Sequence, residues 1–283
     1  LRGAPGSRSL ATTGRADPEA AVHEGEADPA GIDDRDYVQS LIRGLDVVRA
    51  FGADTPQMTL SEVAQRTGMT RAAARRFLLT LVRANYAETD GKHFRLRPKV
   101  LDLGFAYMSS LNLWEIAEPI LRDLSARIGE TCSASVLEGR EIVYITFVPM
   151  ARVITVGLGV GSRLPAFCSS MGRVMIAGLP DDQREAFVAE TELTPLTPHT
   201  VSTRDDLRAR IDAAARQGWA LVDQEIEIGL RSLAVPVRNR RGRTVAAINT
   251  HVQAARMSTA EMLERLLPPL AEASRRITAS LTD

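Results

Sequence analysis

The spacing of apolar positions changes period several times along the chain, and each change predicts a different kind of element. From Tyr37, Leu41, Leu45 and Val48 recur at helical spacing until Gly52, which predicts a first helix. A second opens at Thr59-Leu60-Ser61-Glu62, a capping box in which the hydroxyl and the carboxylate satisfy orphan N–H groups reciprocally, and stops at Gly68. Thr70 caps a third, over 71–84. Its apolar face is Ala74, Phe77, Leu78 and Leu81, its other face carries Arg71, Arg75, Arg76 and Arg83, and Asn85 fits a left-handed stop. The pattern then turns strand-like at 86–88 and 94–96, around the hairpin signal Asp90-Gly91.

Helical spacing returns over 98–111, through Val100, Leu101, Phe105 and Met108, and again through Ile116, Ile120, Leu124 and Ile128 to Gly129, where Pro119 must sit near the start or kink the helix. Beyond it, 131–137 and 141–148 read as a hairpin about Glu138-Gly139-Arg140. Further strands are predicted at 153–156, 219–223, 232–238 and 244–252, and helices at 170–178, 181–190, 204–217 and 259–281. The last helix opens on a second capping box, Ser258-Thr259-Ala260-Glu261, and is expected to bend at Pro268-Pro269.

Two short helices about a tight glycine turn, followed by a hairpin, are the pattern of a winged helix-turn-helix, here 37–97. Residues 98–111 read as a linking and dimerising helix, and 112–283 as a larger domain of antiparallel strands with helices packed alongside, so the fold class is α+β. Residues 1–36 hold almost no large apolar side chains and are expected to form a disordered acidic tail.

Charge sharpens this division. The whole chain balances 35 Lys and Arg against 35 Asp and Glu, but residues 37–110 hold eleven basic and six acidic side chains, while 1–36 hold four and eight. A basic segment beside a near-neutral one suggests a small DNA-reading module carried by a domain with other work. Cys132 and Cys168 offer neither a metal spacing nor a disulfide framework, and no metal or cofactor is expected. No run of about 18 apolar residues and no signal-peptide layout is present, so a cytoplasmic protein without membrane contact is expected.

Ser169, Asp223 and His251 are residue types used in nucleophilic catalysis, yet the chain has no GxSxG, HExxH, GxxxxGK[ST] or GxGxxG motif. It is therefore read as a non-enzyme.

Three blocks carry a resemblance: LSEVAQRTGMTRAAARRFLLTLVRANY from Leu60, GSRLPAFCSSMGRVMIAGLP at 161–180, and DQEIEIGLRSLAVPV at 223–237 followed by AAINTHV. In these the chain resembles the IclR family of bacterial transcription regulators, in wording closest to regulators of protocatechuate and β-ketoadipate catabolism. The resemblance implies a winged helix-turn-helix joined to a GAF-like effector-binding domain. It implies operator DNA and a small carboxylic acid as partners, and a homodimer or dimer of dimers as the assembly. The alternatives are a family member sensing a different small organic acid, or a sensory module that binds a protein and not DNA. Where some family members carry His-Ala this chain has Phe167-Cys168, and where they carry Ser it has Asn249 and His251, so the ligands of those members do not transfer.

On this reading Thr70, Arg71, Ala72 and Arg75 lie near base edges in the major groove, Arg76 and wing residue Lys92 meet phosphates, and Thr59 belongs to the same DNA-binding set. For the effector, N–H groups at Ser169, Ser170 and Met171 offer an anion site at a helix start. By position in the family pattern, Asp223, Leu230, Ser232, Asn249 and His251 face it, with Arg152 and Tyr144 as additions.

Overall fold

The computed structural model describes residues 37–110, 113–150 and 158–281, and the chain divides into two compact units between Lys99 and Val100. The expectations for 1–36, for a strand at 153–156 and for Arg152 fall outside the described residues.

In the first unit, α1 (Gln39–Arg49), α2 (Leu60–Arg66) and α3 (Arg71–Arg83) pack about Val47, Met58, Val63, Ala74, Leu78 and Phe94. The caps are those the sequence announces. Thr59 and Glu62 form a reciprocal capping box on α2, and Thr70 Oγ1 accepts from Ala73 N at 3.2 Å to start α3. Gly68 and Asn85 both have φ near +65°, the left-handed backbone needed for the tight turn before α3 and for the stop after it. The wing is β2 (Ala87–Thr89) and β3 (His93–Leu96), extended by the two-residue β1 (Met58–Thr59) to the order β1-β3-β2. Its turn is one residue longer than Asp90-Gly91 implies. Asp90 Oδ1 accepts from Lys92 N at 2.8 Å and His93 N at 2.6 Å, which holds its carboxyl far below the usual carboxylate range and closes the loop over Gly91.

The periodic residues of α1 do not face the core: Leu41 is 62% and Leu45 42% exposed, while Val47 and Ala50 point inward. Apolar side chains lie on both sides of this helix, and Leu41 and Leu45 line up with Tyr37 and Val38 on the uncovered side.

A short 3₁₀ turn (Pro98–Val100) crosses the boundary into α4 (Leu101–Ser110), and α5 (Leu113–Ile128), which passes through Pro119, is the next helix of the second unit. Among the described residues six antiparallel strands follow: β4 (Thr131–Glu138), β5 (Glu141–Val148), β6 (Arg163–Pro165), β7 (Ala220–Asp223), β8 (Leu230–Arg238) and β9 (Thr244–Gln253), in the spatial order β6-β5-β4-β9-β8-β7. The period-two alternation of the strands divides the side chains between two cores. Cys132, Ala134, Leu233, Val235 and Ile248 pack against α5 and α9 (Thr259–Ser280) on one face. Ile142, Tyr144, Ala234 and Ala247 pack on the other against α6 (Ser170–Ala177) and α8 (Arg204–Gln217), with Phe187 and Val188 of α7 (Asp181–Glu190) joining them. The second capping box holds the start of α9, which continues through Pro268 and Pro269.

Two features bring α6 close to the sheet. A Cβ on Gly172 would lie 2.1 Å from the Ala166 carbonyl oxygen, so only glycine allows this helix to meet the preceding loop. The β4–β5 pairing also contains a bulge: Ala134 pairs with Thr146 and Ser135 with Tyr144, which leaves Ile145 unopposed. The extra residue resets the alternation of β5, so Tyr144 and Phe147, three residues apart, both lie on the α6 side.

Candidate functional site

Two regions concentrate unassigned chemistry. In the first unit, α3 exposes Arg71, Ala72, Arg75 and Arg76 along one side while Ala74 and Leu78 anchor it to the core. Among the described residues these arginines and Lys92 hold no ion pair. The wing arginines differ: Arg95 and Arg97 are tied to Glu88, and Lys99 bonds to the Ala84 carbonyl and lies over the Tyr86 ring. Free guanidinium groups at a helix N-terminal half, beside a wing with an uncommitted lysine, can meet an array of phosphates and base edges. The hydroxyls of Thr59 and Thr70 are committed to helix caps.

In the second unit a cavity of about 150 Å³ lies between β5, β8, β9 and the start of α6. Tyr144, Ser169, Ser170, Met171, Leu230, Ser232, Asn249 and His251 all line it, as do Ile142, Leu158, Leu164, Ile226 and Glu227. These last five are absent from the sequence-based set; only the apolar alternation of β5 could have pointed to Ile142.

At the helix start, Ser169 is the N-cap: its hydroxyl accepts from Gly172 N at 3.0 Å, and its own N–H donates to Ala166 O. The unclaimed amides are therefore those of Ser170 and Met171, the first two helical positions, and not all three. Ser170 Oγ and His251 Nε2 are both buried in the cavity wall without a hydrogen-bond partner. Burial lowers the pKa of His251 to about 4, so the imidazole is neutral at ordinary pH. Its ring stacks on Phe147, which meets Tyr144 edge to face. Asn249 accepts from Ser133 Oγ at 2.6 Å, and Ser135 Oγ donates to the Met171 thioether at 3.2 Å.

Asp223 is not part of this cavity. It shares the face of Leu221, and the register sets it opposite Arg231, whose guanidinium grips its carboxylate at 2.6 and 3.2 Å and also donates to Ala254 O and Met257 O. The parity of a four-residue strand decides which face a side chain takes, and Asp223 falls one residue out of phase with the cavity.

The walls are held by an ion pair that sequence reasoning missed. Arg173 of α6 and Glu225, in the turn after β7, form a two-pronged pair at 2.7 and 2.6 Å; Arg173 also donates to Phe167 O, and Glu225 accepts from Val201 N. Both are almost fully buried, and the pair ties the turn bearing Ile226 and Glu227 to the helix that opens on the cavity.

A helix-turn-helix with uncommitted cationic side chains, in one chain with a small cavity lined by unpaired polar atoms, defines a ligand-responsive DNA-binding regulator. The chain belongs to the IclR family of bacterial transcriptional regulators: residues 40–91 match the IclR helix-turn-helix domain and 105–279 the bacterial transcriptional regulator IclR C-terminal domain. It is 38% identical over 278 residues to the Pca regulon regulatory protein of Pseudomonas putida, covering 98% of this chain and 94% of that one. It is 35% identical over 240 residues to the p-hydroxybenzoate hydroxylase transcriptional activator of Acinetobacter baylyi, covering 83% and 89%. A putative transcriptional regulator from Rhodococcus sp. RHA1 has the same fold, with a TM-score of 0.79 at 47% identity over 87% of this chain and 98% of that one. These relatives are regulators, not enzymes. Among the described residues no helix is long and apolar enough to cross a membrane.

Proposed function

We propose that the chain is a cytoplasmic transcription regulator of aromatic-acid catabolism, whose effector is a small monocyclic carboxylate bound in the α6 cavity. The single observation that carries the effector class is the cavity itself: about 150 Å³, walled by Ile142, Tyr144, Leu158 and Leu164, with unclaimed amides at one edge. An apolar cavity of about this volume accommodates one benzene ring. A carboxylate at the α6 N-terminus gains the Ser170 and Met171 amides and the positive end of the helix dipole. The names of the Pseudomonas and Acinetobacter relatives support the same pathway. Of the two acids that the pathway suggests, protocatechuate suits these walls better than β-ketoadipate, whose second carboxylate would have no cation among the described lining residues.

For DNA, α3 enters the major groove with Thr70, Arg71, Ala72 and Arg75 toward base edges, while Arg76 and Lys92 meet phosphates. Thr59 contributes by holding α2 and β1 in place. The reader is a symmetric dimer, because one such module is too small for tight specific binding. Two uncovered apolar surfaces support it: Tyr37, Val38, Leu41 and Leu45 in the first unit, and Leu101 and Leu103 on α4 in the second.

The test is binding of the purified chain to its own promoter DNA across a salt series, with and without protocatechuate. A footprint or affinity that changes with the acid is the expected result. Binding that protocatechuate leaves untouched removes the effector assignment, and no specific binding at any salt concentration removes the DNA reading.

A further inference from the structure

The cavity has two ends, and they differ in chemistry. At one end Ser170 begins α6, and the neighbouring Met171 thioether lies against Ser135, which is paired with Ala247 of β9. At the other, His251 stands four residues further along the same strand, opposite Thr131 on one side and Ser232 on the other. Both groups line one cavity of about 150 Å³, the size of a single aromatic ring, so one ring ligand can offer a substituent to each.

Charge fixes which end is which. Glu227 lines the cavity in the turn whose carbonyl accepts from Leu230 N, and Leu230 and Ser232 are the β8 residues beside Gln253 and His251 of β9. The carboxylate of a ligand is repelled from that end and attracted to the helix start. What remains for the His251 end is the uncharged group of the ligand. Nε2 of His251 is buried there without a partner, and Phe147, brought to this face by the β5 bulge, holds the ring by stacking at 6.3 Å.

We infer that His251 is the specificity-determining residue of the effector site, taking a hydrogen bond from or to a ring hydroxyl distal to the carboxylate, so that the regulator answers hydroxybenzoates and not benzoate. The inference rests on the proposed aromatic-acid site and adds its polarity and its selectivity. A hydroxyl both donates and accepts, so it satisfies Nε2 in either tautomer of a neutral imidazole, whereas a ring C–H leaves that atom desolvated and unpaired. A site built around such a bond discriminates strongly against the analogue that lacks it.

The experiment is titration calorimetry on the full chain with 4-hydroxybenzoate, 3,4-dihydroxybenzoate and benzoate, repeated with His251→Leu and Phe147→Leu. The parent is expected to bind at least one hydroxylated acid about tenfold or more tighter than benzoate. His251→Leu brings that ratio close to one, and Phe147→Leu, which keeps the imidazole, preserves the preference while weakening all three acids. Equal binding of hydroxylated and plain acids by the parent overturns the inference without needing any variant, and leaves the aromatic-acid site standing. A preference that survives in His251→Leu also overturns it, whereas no binding of any acid to the parent removes the effector reading with it.

Discussion

Two helices of this chain start alike and do opposite things. α3 and α6 both open on a hydroxyl cap, Thr70 and Ser169, and each has the positive end of its helix dipole there. α3 keeps one apolar edge on its core and exposes Arg71, Arg75 and Arg76, a layout suited to a long polyanion in water. α6 is buried from Ser170 to Ile176, its arginine is neutralised by Glu225, and its first amides face a small cavity. Burial, more than residue type, sets the size and the reach of the anion each end can take. In the exposed case attraction extends over a Debye length and fades with salt; in the buried case it is short-ranged, geometric and nearly salt-independent.

The comparison can be broken in several places. The largest effect is expected for Glu225→Gln, which strands the Arg173 charge in the interior: unfolding free energy of the effector unit falls by about 3–5 kcal/mol, read by urea denaturation, and acid binding is lost with it. Gly172→Ala tests the same helix through sterics. Its Cβ cannot fit against the Ala166 carbonyl, so about 1–3 kcal/mol is lost and the acid no longer alters DNA binding.

The neutral state of His251 predicts an acid-side loss of stability. The unfolded chain takes up a proton near pH 6.5 and the folded chain only near pH 4, so stability falls as pH drops through that window, by at most about 3 kcal/mol. A His251→Leu chain shows no such decline from this source. An identical pH profile in parent and variant would mean that the imidazole titrates normally.

On the open helix the expected changes are smaller. Arg76→Ala lowers the steepness of the dependence of DNA affinity on salt by about one unit in the log–log slope, while acid affinity at fixed salt stays unchanged. Thr70→Ala costs about 1 kcal/mol through the lost cap of α3, measurable as a shift in denaturation midpoint.

Much of this was legible before any coordinates. Caps and left-handed stops mark their own positions, so the bounds of α2 and α3 follow from Thr59, Gly68, Thr70 and Asn85. The strands of the large sheet and the helices between them follow from runs of fixed period. What was not legible depends on partners. Periodicity finds the stripe of Leu41 and Leu45 without saying that Val47 is the residue turned inward. A short strand does not reveal its parity, so Asp223 could be placed on either face until Arg231 was seen opposite it. The Arg173–Glu225 pair joins residues 52 positions apart, with no local pattern to announce it.

The unopposed residue in β5 also bears on how such a sensor diversifies. Because Ile145 is the one extra residue between two stretches that pair in phase with β4, a one-residue deletion there restores the regular ladder and leaves Tyr144 and Phe147 on the face they already share. Point substitutions adjust the fit of the site one group at a time. Loss of a codon at this position changes the bend of the wall and not the list of side chains on it, which makes the bulge a heritable adjustment of the site's shape, separate from its composition.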